Sequence, residues 1–535
     1  MKTLRFALIG AAACTLASSS SNFYQESAAT LNKRLRPSRV LHAPPSKRSP
    51  ATDDVQASIV QQALTDPVNA AIAAQGLDNV KNFIDGGDSN DNTLISGDSE
   101  SNTNLQDNQY PWNYNVPFVA NAVATAGGTT DVGWTALPPL DGFDLVRNQV
   151  ITENATQPFY VTSGYDAALI KKAVIVMPGK PRDSWKYTNL IRNSLAVTVE
   201  TFPELQVSNE SVLIIGPAWL NQFDQQYGAA LSTDLVFHGS QWQSGGYSRS
   251  PNLTKSVTTY EVLDWFTDWL FNKANFPNLN SVTMAGHSMG GQAVVRYSIL
   301  KKQKAYDDNM QYWIGNPGSW AWLTDDRPSP NTTCTDFDTW EYGLGGNMSK
   351  ISKYARKDVN ASKTAVIERF RGRKVQYALG LLDNGPGDTH CEAVMQGGNH
   401  LDRGCNWIQM LGGMSGGFPT ANQSVAFVAN ASHQDYAMMS ANSSIAFIFK
   451  SGYDTRLPDI VASNPGDSVT NDTESANPPA RAFATPAHKL ISYSLFGGSV
   501  GGLVLAFTLL PFLFPSNAPE WEQEEWEADN KRKFL

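Results

Sequence analysis

Between residues 111 and 463 the chain alternates short, unbroken apolar runs with longer stretches of mixed pattern. The runs lie at 173–177, 212–216, 281–286, 310–314, 374–380 and 424–429. Runs that short and that apolar leave no face for water, so they predict strands buried on both sides, joined by crossover helices. One such helix is well marked. Thr258 and Glu261 form a capping box, and Tyr260, Leu263, Phe266 and Leu270 then recur at helical spacing. Residues 360–373, with Ser362 as a cap, predict another that leads into the strand at Lys374. The expected class is α/β: a mostly parallel sheet with helices on both faces.

Outside this block the pattern changes. Residues 490–514 carry no charge over 25 positions. At a rise of about 1.5 Å per residue they can cross a hydrocarbon core of about 30 Å, which predicts one C-terminal transmembrane helix. Residues 1–17 combine Lys2 and Arg5 with an apolar run from Phe6 to Leu16, the layout of a signal peptide. The bulk of the chain is then expected on the lumenal side and 515–535 in the cytoplasm. Lys531, Arg532 and Lys533 agree with that orientation, while Lys489 weakens the bias. Residues 18–110 are expected to form a poorly ordered leader: a basic, Pro-rich stretch with the pairs Lys33-Arg34 and Lys47-Arg48, a helical pattern at about 55–83, and a Gly/Ser/Asn/Asp tract. A polar linker, 464–489, precedes the span.

Composition narrows the picture further. An apolar fraction of 41% with 14 Trp supports a large core, and a net charge of −9 offers no field for a nucleic acid. Four Cys do not make a disulfide scaffold; Cys14 leaves with the signal, and two of Cys334, Cys391 and Cys405 are expected to pair in an oxidising lumen. Glycosylation sequons stand at Asn154, Asn209, Asn252, Asn331, Asn347, Asn360, Asn422, Asn430, Asn442 and Asn471, with none beyond the span. Gly497 with Gly501, and Gly498 with Gly502, form two G-x-x-x-G pairs, so the span is a candidate homodimer face. Lys531 and Lys533 have the spacing of a K-x-K-x-x retrieval signal, which favours the endoplasmic reticulum or early Golgi over the cell surface.

The chemistry centres on Gly286-His287-Ser288-Met289-Gly290, a G-x-S-x-G elbow placed between a strand and a helical stretch beginning near Gln292. Small neighbours let strand and helix close on a strained, exposed serine. A serine hydroxyl needs a base, and the base needs a carboxylate to orient it. His433 lies just past the last strand and is the candidate base; His390 and His400 precede that strand, and His488 abuts the span. Asp383, three residues past Gly380, is the candidate acid, with Asp388 as the alternative and Glu392 and Asp402 behind them. The backbone N–H of Met289 and that of Lys180, in the loop after the strand 173–177, are the expected oxyanion donors. Trp320, Trp322, Trp340 and Tyr342 fall in an insert, 315–373, where they either line a cap over Ser288 or pack the insert itself. No metal-ligand spacing and no cofactor motif is evident, so no metal and no cofactor is expected.

The strings VIVMPGKPRDSWKYTN (174–189), SVTTYEVLDWF (256–266), FPNLNSVTMAGHSMGGQAVVRY (276–297), DTWEYGL (338–344), DNGPGDTHCEA (383–393) and NASHQDYAMM (430–439) resemble, in content and order, the α/β-hydrolase superfamily, especially a poorly characterised group of secreted hydrolases. The resemblance implies Ser288 as nucleophile, Asp383 as acid and His433 as base. It also implies a Cys334–Cys391 disulfide, leaving Cys405 unpaired. The expected activity is cleavage of a small-molecule, lipid or glycan ester, or a thioester or amide, through an acyl-enzyme. The alternatives are an acyltransferase using the same triad and a non-catalytic ectodomain used for adhesion or binding.

Overall fold

The computed structural model describes residues 50–81, 116–122 and 133–454. Eight strands form one sheet: β1 (Phe143–Val146), β2 (Phe159–Thr162), β3 (Lys172–Met177), β4 (Val212–Pro217), β5 (Ser281–His287), β6 (Met310–Gly315), β7 (Lys374–Gly380) and β8 (Gln423–Val428). Their spatial order is β1-β2-β4-β3-β5-β6-β7-β8. β2 runs antiparallel to both neighbours, and every pairing from β4 onward across the sheet is parallel. All six predicted runs are strands of this sheet. β1 and β2 were not among them: each is four residues long, β1 at the sheet's edge and β2 beside it, too short to show a pattern.

The helices are α1 (Pro50–Ala63), α2 (Pro67–Gln75), α3 (Ser184–Thr201), α4 (Thr259–Phe271), α5 (Met289–Leu300), α6 (Lys363–Arg371), α7 (His400–Gly413) and α8 (Asp435–Ser440), among shorter ones. Successive strand residues point to opposite faces, so the core divides in two. Ala173, Ile175 and Met177 join α4, α5, α6 and α7 on one face, while Val174 and Val176 join α3 and α8 on the other. The capping box of α4 is present, with the Glu261 N–H donating to Thr258 Oγ1 at 3.2 Å and the Thr258 N–H to Glu261 Oε2 at 2.8 Å. The helix expected over 360–373 is interrupted at Ser362, which caps α6 by accepting the Ala365 N–H at 3.1 Å.

α3 was not among the helices read from the sequence; beside its apolar face of Tyr187, Leu190, Ile191 and Leu195, the polar Ser184, Lys186, Thr188, Asn189, Asn193, Ser194 and Thr198 are also buried. Several of these side chains donate back to their own helix: Thr188 to the Ser184 carbonyl, Ser194 to that of Leu190, and Thr198 to that of Ser194. Burial is tolerable there because the polar atoms are hydrogen-bonded, these within the helix and Ser184, Lys186 and Asn189 to Pro217, Asp435 and Val119.

The leader assignment for 18–110 is corrected in its middle. α1 and α2 follow the helical pattern, but they are built into the fold. Ile59, Ala63, Ala70, Ala71 and Ala74 are buried in the main core, and Gln75 Nε2 donates to Asp402 Oδ1 at 2.6 Å. These small side chains let α2 lie close against α7 and α1 against β8, a long-range gain invisible in local pattern. Among the described residues no helix is long and apolar enough to cross a membrane. The signal at 1–17, the linker at 464–489, the span at 490–514 with its four glycines, and the tail at 515–535 lie outside the described residues.

Candidate active site

β5 ends at His287, and α5 starts at Met289, so Ser288 occupies the single residue between them. Its backbone is at φ 58° and ψ −125°, a strained conformation that lifts the side chain out of the sheet. The flanking glycines are required by contact. A Cβ at Gly286 would fall 2.2 Å from the Gly290 carbonyl oxygen, and one at Gly290 would fall 2.5 Å from that of Met177.

The turn after β8 carries His433, and the turn after β7 carries Asp383. Both lie at the C-terminal edge of the sheet, where open α/β sheets place their ligands. The Ser288 hydroxyl meets His433 Nε2 at 2.9 Å, and His433 Nδ1–H meets Asp383 Oδ2 at 2.7 Å. Ser288 is half-buried, His433 is 7% exposed and Asp383 is fully buried. Burial lowers the basicity of His433, but the Asp383 carboxylate outweighs it and raises the imidazole above its ordinary value. Burial alone would raise Asp383; His400 and His433 overcome it and hold the carboxyl well below the usual range.

Asp388, the alternative acid, does not reach His433. It accepts the Ser319 hydroxyl at 2.9 Å and pairs with His390 Nδ1 at 2.6 Å. The loop turns between the two aspartates, so only Asp383 faces the base. Neither Glu392 nor Asp402 joins the triad: Asp402 holds Gln75 and the Gly398 N–H.

The oxyanion donors stand as follows. Met289 opens α5, so its N–H has no carbonyl one turn back within the helix. On the β3 loop the Gly179 N–H is engaged by the Tyr187 hydroxyl oxygen, and the Lys180 N–H donates to no backbone carbonyl in the described structure. Neither the Lys180 nor the Met289 N–H donates to a backbone carbonyl among the described residues, so both remain candidates for a ligand oxygen.

Two residues in contact with the triad were not assigned a role from the sequence. His400 lies over His433, ring centroids 4.2 Å apart, with Nδ1 3.2 Å from Asp383 Oδ1. The pair does not meet hydrogen-bond geometry, and burial lowers the basicity of His400 against the pull of Asp383. His287 also packs against His433, ring centroids 4.7 Å apart, and bonds Asp435. Asp383, His400 and His433 bring their donor atoms within 4.8 Å, but the nearest oxygen and nitrogen already bond each other, so the set suits a proton relay better than a metal. A second cluster, Cys334, Cys391 and Glu392, has both sulfurs joined in a disulfide. That bridge is the one implied by resemblance, and Cys405 is free and buried.

In the insert, Trp320 and Trp322 pack into the core, Trp320 stacking on Trp407 at 4.8 Å. They do not line a cap. Trp340 and Tyr342 are half-buried, with Trp340 Nε1–H donating to the Ser244 carbonyl at 2.9 Å.

No family model matches the chain, and no curated protein matches it. Solved structures similar to it include the LpqC poly(3-hydroxybutyrate) depolymerase from Bordetella parapertussis, at 16% identity and a TM-score of 0.38, covering 60% of this chain and 92% of that one. An IroE-like serine hydrolase from Shewanella oneidensis is similar at 14% identity and a TM-score of 0.31, covering 58% and 80%. The siderophore hydrolase EstB from Aspergillus nidulans is similar at 11% identity and a TM-score of 0.33, covering 58% and 97%. The strand order, with its one antiparallel strand and a serine elbow after the fifth, is that of the α/β-hydrolase fold, the class expected from the sequence.

Proposed function

We propose that this chain is a membrane-anchored hydrolase that cleaves a carboxylic ester through an acyl-enzyme on Ser288. The observation that carries the reading is the unbroken hydrogen-bonded line from Ser288 through His433 to Asp383. In the first half-reaction Ser288 Oγ attacks the acyl carbon while His433 Nε2 takes its proton. The Met289 and Lys180 N–H groups hold the oxyanion, and Asp383 keeps the imidazole in the required tautomer. The alkoxide then leaves with the proton from His433. Water, activated by the same imidazole, releases the acid and restores Ser288. A thioester or amide could follow the same course, and an alcohol in place of water would make the enzyme an acyltransferase.

Anchoring and location rest on the sequence. A cleaved signal at 1–17 and a span at 490–514 would place the catalytic domain in a secretory lumen, with Lys531 and Lys533 as a cytoplasmic retrieval signal. The disulfide suits an oxidising compartment. Asn154, Asn209, Asn252, Asn331, Asn347, Asn360, Asn422 and Asn442 are exposed and open to glycans. Asn430 is half-buried, its N–H bonded to Gln56 at 2.7 Å, and is expected to stay unmodified. Dimerisation through Gly497, Gly498, Gly501 and Gly502 is tested by Gly498→Ile in a membrane two-hybrid assay, where unchanged association rejects that face. The catalytic reading is tested by labelling the full chain with a fluorophosphonate. Label expected on wild type must vanish in Ser288→Ala; persistent labelling of that variant overturns the mechanism, and an unlabelled wild type favours a non-catalytic ectodomain.

A further inference from the structure

Two of the strings singled out in the sequence, SWKYTN at 184–189 and HQDY at 433–436, supply only His433 to the triad. The fold nevertheless brings their remaining polar residues together around one carboxylate. Asp435 opens α8, two residues past the base, and is fully buried. His287 Nδ1–H donates to Asp435 Oδ1 at 2.6 Å, and the Tyr187 hydroxyl donates to the same oxygen at 2.8 Å. Lys186 Nζ donates to Oδ2 at 2.9 Å, and the side chains of Lys186, His287 and Asp435 are 0% exposed.

Each partner belongs to a different part of the machinery. His287 is the residue immediately before the nucleophile. Tyr187 receives the Gly179 N–H on its hydroxyl oxygen, and a Cβ at Gly179 would fall 2.2 Å from that oxygen. Gly179 directly precedes Lys180, the proposed oxyanion donor. Asp435 itself follows the base. Resting on the serine-hydrolase reading above, we propose that Asp435 is a positioning residue, a buried hub that holds the nucleophile elbow, the base loop and the oxyanion loop at fixed separations.

A second buried residue closes the arrangement. Asn316 Nδ2–H donates to the Ser432 carbonyl at 3.1 Å and approaches His287 Nε2 at 3.3 Å, while Asn316 Oδ1 accepts the Gly380 N–H at 2.9 Å. His287 is therefore a donor at Nδ1 and an acceptor at Nε2, the neutral tautomer. Burial, against the pull of Asp435, lowers its basicity and keeps it neutral. A buried ion pair such as Lys186–Asp435 is weak evidence for stability, because desolvating two charges offsets much of their attraction. What it supplies is direction. Apolar side chains would tolerate sliding, whereas a carboxylate bonded on both oxygens sets angles as well as distances. Displacing catalytic groups by about 1 Å can cost about 10²-fold in rate.

The test uses the full chain, with p-nitrophenyl acetate as probe, reading kcat and KM separately across pH and the thermal midpoint of each variant. Tyr187→Phe removes one hydroxyl without changing shape, and His287→Leu removes the elbow link. Each should lower kcat about tenfold or more with KM changed less than about threefold, since these residues touch no substrate. His287→Asn, which restores a donor near Nδ1, should recover much of the loss. Asp435→Asn should lower kcat further and move the acid limb of kcat/KM to lower pH, because the Asp435 charge helps to keep His433 protonated. Lys186, Asp183, Tyr187 and His287 also face this carboxylate, and burial pushes the Asp183 carboxyl up to about 6, so each limb is read as a difference from wild type. Folded Tyr187→Phe and His287→Leu proteins with wild-type kcat would overturn the hub, as would His287→Asn no better than His287→Leu. A wild type that hydrolyses nothing and takes no fluorophosphonate label overturns the hydrolase reading itself.

Discussion

Two buried aspartate–histidine pairs lie side by side at the C-terminal edge of the sheet, Asp383–His433 at 2.7 Å and Asp435–His287 at 2.6 Å. Their first contacts are alike; their second contacts are not. The free nitrogen of His433 meets the half-buried Ser288 hydroxyl, and that of His287 meets an amide on Asn316. The second oxygen of Asp383 faces another imidazole, His400, whereas that of Asp435 is held by the Lys186 ammonium. With no ammonium beside it, Asp383 spends its charge on His433 and raises its basicity; beside Asp435, burial prevails and His287 is lowered. One pair is built to take a proton and pass it on. The other is built to stay neutral and hold still.

The contrast can be broken most sharply at the nucleophile. Ser288→Ala should abolish ester turnover and fluorophosphonate labelling, and His433→Ala should lower kcat by about 10⁴-fold or more, because the triad acts as a unit. Steady-state kinetics on folded variants checks both.

Next comes stability. Lys186→Met leaves the Asp435 carboxylate buried without its cation, which should cost about 3–5 kcal/mol, read as a lower denaturant midpoint. Asp383→Asn strands no buried cation and should cost far less. Equal losses would show that the two aspartates are not held in different ways.

The acid itself separates Asp383 from Asp388. Asp383→Asn should lower kcat about 10²-fold more than Asp388→Asn, since an amide favours the wrong imidazole tautomer. A crippled Asp388→Asn enzyme with an active Asp383→Asn would reverse the assignment.

The smallest effect is in pH. His433 must be neutral to act as base, and its basicity is raised, so the acid limb of kcat/KM should lie above the ordinary imidazole value of about 6.5. Activity should rise as pH climbs through that limb, and in Asp383→Asn the limb should shift downward. A limb below about 6.5 in wild type would mean that burial, not Asp383, governs His433.

Much of this molecule is written locally. Six strands were legible because a strand buried on both faces must be apolar at every position, and the elbow because Gly-x-Ser-x-Gly between a strand and a helix is a local pattern, though the contact that requires Gly290 is with the distant Met177 carbonyl. His433 followed from chain order, and Asp383 from its distance past β7. β1 and β2 were too short to leave a pattern. α3 was not read, because buried polar residues on its other faces blur the spacing of Tyr187, Leu190, Ile191 and Leu195. α1 and α2 were read as helices, but not as part of the core, since what they pack against lies more than three hundred residues away. Trp320 and Trp322 could equally have lined a cap until Trp407 was found stacked against one of them. The sequence alone therefore marked six strands of the sheet, the serine elbow and the candidate acid and base, all of which depend on periodicity, short-range sterics and chain order. Only the tertiary structure decided that Lys186, Tyr187, His287 and Asp435 meet beneath the triad. Contacts between side chains 148 and 249 residues apart leave no periodic trace and exist only once the sheet has closed.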